Sequence, residues 1–107
     1  MNEGTHPAAA TTGRIEATVR GRVQGVGFRW YVSRLASRLQ LTGWVANESD
    51  GSVRVVAEGR DAALADLLEA LERGPSGAFV ADVSVDRLEP TGSFQGFEIR
   101  SGGHRGD

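Results

Sequence analysis

Cysteine is absent from the chain, which removes a disulfide scaffold, a thiolate metal site and a cysteine nucleophile at once. The absence suits a reducing compartment. An excess of one charge is missing as well. Twelve Lys and Arg stand against fourteen Asp and Glu, a formal charge of −2, so the clustered basic face of a nucleic-acid binder is not expected. Long hydrophobic runs are lacking too. The first thirteen residues hold none longer than Ala8-Ala9-Ala10, too short for a signal peptide. No stretch approaches the ~20 apolar residues of a membrane span. A cytoplasmic protein without membrane or nucleic-acid partners is expected.

What is there is enough for one core and not for two: 107 residues, 39% hydrophobic and 24% charged. Residues 1–13 and 102–107 read as disordered tails around a single domain at 14–101, because neither tail can bury enough apolar surface to offset its ordering entropy. There is no internal repeat and no linker. Ile15, Ala17 and Val19 alternate with Glu16, Thr18 and Arg20, the period of a half-buried strand. Phe28, Val32, Leu35, Ala36 and Leu39 recur at helical spacing and predict an amphipathic helix over 28–40. Residues 42–47 read as a strand, Ser49-Asp50-Gly51 as a tight turn, and Val53, Val55 and Ala57 as the returning strand. Asp61 is a plausible N-cap for a helix with Leu64, Leu67, Leu68 and Leu71 on one face, closed by Gly74-Pro75. Ala81, Val83 and Val85 mark another strand, and Phe97 and Ile99 a short last one. The order β-α-β-β-α-β with a terminal strand predicts an α+β, ferredoxin-like split βαβ sandwich. Two helices should cover one face of a four- to five-stranded antiparallel sheet. Fold alone does not settle function.

The chemistry-bearing segment is GRVQGVGFR, residues 21–29, which joins the first strand to the first helix. Three glycines in seven residues let successive N–H groups turn inward around one point. Such a nest at the positive end of a helix is an anion site. Arg29, in the helix's first turn, can donate a two-pronged pair to a phosphate there. The plainer alternative is a tight connection with Arg29 merely solvated. An arginine suits a first turn poorly, since the helix dipole favours acids there. Val23 and Arg29 have the separation of the Cys and Arg in a C-x5-R phosphatase loop, so the segment resembles that cradle with its nucleophile replaced by valine. No phosphoenzyme can form through this position. The two histidines, His6 and His104, lie in the tails. Hydrolysis at such a cradle would use water directly.

Residues 19–29 (VRGRVQGVGFR) and 43–59 (GWVANESDGSVRVVAEG) resemble both signature segments of the acylphosphatases. Gly21, Val23, Gln24, Gly25, Val26, Phe28 and Arg29 stand where the first pattern asks for them. Gly43, Trp44, Val45, Asn47, Gly51, Val53 and Gly59 do so in the second. The resemblance implies a metal-free and cofactor-free hydrolase of acyl phosphates, acting as a monomer, with acyl phosphate and inorganic phosphate as its small-molecule partners. It implies that Arg29 and the backbone of Val23, Gln24, Gly25, Val26 and Gly27 bind the phosphate. It also implies that Asn47 positions the attacking water. Read alone, Asn47 is better explained as a hairpin-entry residue that bonds its own backbone, and only the second signature reverses that. The implied chemistry is self-consistent. A carboxylate, with a conjugate-acid pKa near ~4, departs without a general acid. Attack on a metaphosphate-like centre needs positioning and charge more than covalent help. Two departures stand out. Glu48 follows Asn47 and should point to the opposite face by strand alternation. The tail beyond Ile99, with Arg105 and Asp107, is longer than the family leads one to expect.

Three rival readings are compatible with the fold. A non-catalytic, anion-sensing regulatory module would keep Arg29 and the loop but have no use for Asn47. An acylphosphatase-like unit at the start of a large hydrogenase-maturation protein would need far more chain than 107 residues. An RNA-recognition module would need stacking aromatics on adjacent strands and a more basic balance.

Overall fold

Alternate residues of β1 (Thr12–Arg22) face opposite ways. Ile15, Ala17 and Val19 are fully buried, while Glu16 and Thr18 lie on the other face. The computed structural model describes residues 11–101. After β1 come α1 (Phe28–Arg38), β2 (Thr42–Asn47), β3 (Val53–Arg60), α2 (Asp61–Arg73), β4 (Phe79–Leu88) and β5 (Phe97–Arg100). The strands form one sheet in the order β4-β1-β3-β2-β5. Both helices lie on the same face of it. Phe28, Val32 and Ala36 of α1 and Leu64, Leu67 and Leu71 of α2 close over Ile15, Val19, Val45, Val53 and Val55. Full burial of each such aliphatic side chain is worth about 1.5–3 kcal/mol. The fold is the α+β, ferredoxin-like one expected.

The sheet departs from expectation in one respect: it is mixed. β1, β2, β3 and β4 pair antiparallel, but β5 runs parallel to β2, with Gly43 opposite Phe97 and Val45 opposite Ile99. The reason lies in the connection. β4 and β5 occupy opposite edges, so residues 89–96 must cross beneath the end of the sheet where β1 and β2 begin. β5 then starts from that end and runs the same way as β2. Glu58 of β3 ties the crossing down, accepting the N–H of Thr91 and of Gly92 at 2.9–3.0 Å.

Other boundaries move as well. β1 begins at Thr12, with Thr12 opposite Arg60 and Gly13 opposite Gly59, so these two residues belong to the domain and not to the tail. Residues 1–10 and 102–107 lie outside the described residues. α1 stops at Arg38, two residues early, because Gln40 takes a left-handed backbone (φ 61°) and the Leu41 N–H turns back to the Ala36 carbonyl at 2.9 Å. Asp61 is the first residue of α2 and not its cap. Arg60 holds the cap position, and Asp61 places its charge in the first turn where the dipole welcomes it. No helix among the described residues is long and apolar enough to cross a membrane.

β1, β2 and β5 all finish at the far end of the sheet, where β3 begins. That end carries the loop after β1, the β2–β3 turn and the close of β5.

Candidate active site

The glycine loop, residues 23–27, hangs from a buried anchor. Val23 is 1% exposed and Phe28 2%, so both ends of the loop are fixed in the core. Between them Gly25 and Gly27 adopt left-handed backbones, φ 75° and 80°, which cost an L-residue about 1–2 kcal/mol. A β-carbon at either would meet nothing within 4 Å. Glycine is thus required by conformation, and the space in front of the loop stays open. Gly27 caps α1 with no side-chain hydrogen bond, and the first turn holds no acid. α2 satisfies its dipole with Asp61, but α1 presents Arg29 where an anion would otherwise sit.

Across the opening lies the end of β2. Asn47 pairs with Val53 in the ladder and is 7% exposed, yet its side-chain amide makes no hydrogen bond with another described residue. Leaving such a group unsatisfied costs roughly 1–3 kcal/mol. Val23, Gly25, Gly27, Phe28, Arg29, Trp30 and Asn47 together line a cleft of about 210 Å³. Among the described residues Arg29 is the only charged one of that lining. Its Nη1 donates to the Arg100 carbonyl at 3.0 Å, so the end of β5 helps to hold the guanidinium at the cleft.

Gln24 fixes the distance between the two walls. Its Nε2 donates to the carbonyl of Glu48 at 2.8 Å and to that of Ser52 at 2.9 Å. These are the two residues that flank the turn, immediately after Asn47 and before Val53. Within the turn the Glu48 N–H donates to the Ser52 carbonyl at 2.9 Å. Asp50 accepts from the Ser52 hydroxyl and amide, and these bonds hold its carboxyl below the ordinary carboxylate value. The glycine loop and the turn are therefore clipped into one unit.

Of the residues singled out in the sequence, Val23, Gly25, Gly27, Arg29 and Asn47 meet on this cleft. The side chains of Gln24 and Val26 go elsewhere: that of Gln24 serves the clip, and that of Val26 packs against the core. Glu48 lines a separate groove with Thr18, Arg20 and Arg54. Arg105 and Asp107 lie outside the described residues. A groove of about 450 Å³ between the helices is lined by Tyr31, Leu35, Leu39 and Ala70 with a rim of arginines, and among the described residues it shares none with the cleft.

The acylphosphatase family model matches residues 15–99 of the chain. The chain belongs to the acylphosphatase family. It is accordingly an enzyme of the acylphosphatase class. An acylphosphatase of Salinibacter ruber is 52% identical over 90 residues, spanning 84% of this chain and 95% of that protein. The crystal structure of the acylphosphatase from Bacillus subtilis has the same fold with a TM-score of 0.80, at 38% identity over 84% of this chain and 99% of that one. An acylphosphatase structure from Coxiella burnetii, 41% identical, gives 0.75 over 83% and 93%.

Three features of this cleft were not read from the sequence. The Gln24 clip left no signal, because side-chain direction in a glycine loop follows no period. The Arg100 carbonyl depends on β5 running parallel to β2. Trp30 did leave one: it is a large apolar residue off the apolar stripe of α1.

Proposed function

We propose that the cleft hydrolyses the carboxyl–phosphate bond of acyl phosphates by direct attack of water. The Arg29 guanidinium and the backbone N–H groups of Val23, Gln24, Gly25, Val26 and Gly27 bind the phosphoryl oxygens and balance the charge spread over them in the transition state. The Asn47 carbonyl accepts a hydrogen bond from a water and its NH₂ donates another, which orients the nucleophile without acting as a base. The water oxygen bonds to phosphorus as the bond to the carboxylate oxygen breaks. The carboxylate leaves unprotonated, and the water's proton passes to a phosphate oxygen. The products are a carboxylate and inorganic phosphate. The same reading makes the protein a cofactor-free monomer of a reducing compartment such as the cytoplasm, which the lack of cysteine suits.

One observation carries this reading: a buried amide with no hydrogen-bond partner among the described residues and a guanidinium share one small cleft in front of two left-handed glycines. An unsatisfied buried amide in a native protein calls for an explanation, and a bound water or ligand supplies it. The test compares benzoyl phosphate with p-nitrophenyl phosphate. Turnover of the first and little of the second is expected, since no acid among the described residues lines the cleft to protonate a leaving group more basic than a carboxylate. Comparable rates on both would refute the mechanism. Phosphate binding without any turnover would favour the anion-sensing reading.

A further inference from the structure

We infer that Trp30 forms the wall of a subsite for the acyl group, so that this site prefers acyl phosphates whose acyl body is aromatic. The inference rests on the acyl-phosphate reading above and goes beyond it to the part of the substrate that distinguishes one acyl phosphate from another.

Five large apolar residues are exposed among the described ones: Trp30, Phe79, Val85, Leu88 and Ile99. Trp30 is the most exposed, at 66%, and of the five it alone lines the cleft. It sits one residue after Arg29 in the first turn of α1, off the stripe of Phe28, Val32 and Ala36 that enters the core. Packing therefore does not account for it. The other apolar residues of the lining, Val23 and Phe28, are buried almost completely and offer no face to a ligand. Among the described lining residues the indole is the one largely exposed apolar side chain.

The cleft, about 210 Å³, has room for more than a phosphoryl group and its carboxyl. With the phosphoryl group at Arg29, a ring attached to that carboxyl lies beside the indole of the next residue in the lining. Two aromatic surfaces there would leave water together, with offset or edge-to-face geometry between their quadrupoles. A methyl group in the same place would cover little of the indole. The contact is present before and during the reaction alike, so it acts on KM and not on kcat.

The test measures kcat and KM for benzoyl phosphate and acetyl phosphate with the full chain, its Trp30→Ala variant and its Trp30→Phe variant. Melting temperatures confirm that each is folded. Trp30→Ala should lower the ratio of kcat/KM for benzoyl over acetyl phosphate about tenfold, the scale of a lost aromatic contact. The change should lie in the KM for benzoyl phosphate. Trp30→Phe, which keeps an aromatic face, should retain most of the ratio. An unchanged ratio in Trp30→Ala overturns the subsite while leaving the acyl-phosphate reading intact. A loss shared equally by both substrates also overturns it, because Trp30 would then support the cradle. Failure of the wild type to turn over either substrate would sink the acyl-phosphate reading and the subsite with it.

Discussion

Glu58 offers a direct route from a side chain to a measurable pH dependence. It is 4% exposed at the end of β3, beneath the 89–96 crossing. Burial alone would push its carboxyl up. The amides of Thr91 and Gly92, the Arg14 guanidinium at 2.7 Å and the Thr91 hydroxyl at 2.9 Å oppose this and hold the group at about 2, against an ordinary 4.5. That gap corresponds to about 3 kcal/mol of stability at neutral pH, an upper bound because water reaches the crossing segment. Glu58→Gln keeps the shape and loses the charge. We expect it to cost about 2 kcal/mol at pH 7, or roughly 10 °C in melting temperature for a domain of this size. The sign follows from the lowered value. The stabilisation is complete above about pH 4.5 and is lost as pH falls towards 2. By about pH 3.5 nearly half of it should be gone, so the wild-type and variant melting temperatures should converge on acidification. Thermal melts of both proteins from pH 7 to 3 test this. A gap that stays constant across that range, or no gap at pH 7, would refute the reasoning.

Gln24→Ala removes the clip between the glycine loop and the turn that follows Asn47. It should lower kcat for benzoyl phosphate about tenfold with a smaller change in phosphate binding, as steady-state kinetics and phosphate-dependent melting would show. Equal loss of both would make the Gln24 side chain a part of the cradle itself. Gly27→Ala puts a β-carbon at φ 80° with open space before it, so it should destabilise by about 1 kcal/mol and weaken inhibition by inorganic phosphate. An unchanged melting temperature and inhibition constant would mean that the left-handed backbone is not required.

The readable parts of this protein are those where one physical signal dominates. Alternation at Ile15, Ala17 and Val19, and the helical recurrence of Phe28, Val32 and Ala36, each follow from having one face in the core. The Ser49-Asp50-Gly51 turn announces itself through residue types that favour turns. The direction of β5 does not, because Phe97 and Ile99 would alternate alike in a parallel or an antiparallel pair. Only the path of residues 89–96, fastened by Glu58, decides it. At the site, glycine content pointed to the loop and the helix dipole to Arg29. Asn47 taken alone reads better as a turn residue, and only the family resemblance singles it out. Its burial with no side-chain hydrogen bond to another described residue is a fact of three dimensions, and no local pattern carries it.

The central claim is a division of labour: Arg29 holds phosphate, and Asn47 holds water. It is tested most directly by measuring benzoyl phosphate turnover beside phosphate-induced melting shifts in Asn47→Ala and Arg29→Ala. A ligand that binds only the native state raises its melting temperature by mass action. Arg29→Ala should lose both activity and the phosphate-induced shift. Asn47→Ala should keep most of the shift while kcat falls by about 10²-fold or more with KM little changed. It should also melt no lower than the wild type, since it removes an unsatisfied buried amide. A folded Asn47→Ala that turns over at the wild-type rate would contradict the water-positioning role. One that loses the phosphate shift as completely as Arg29→Ala would place Asn47 in the cradle.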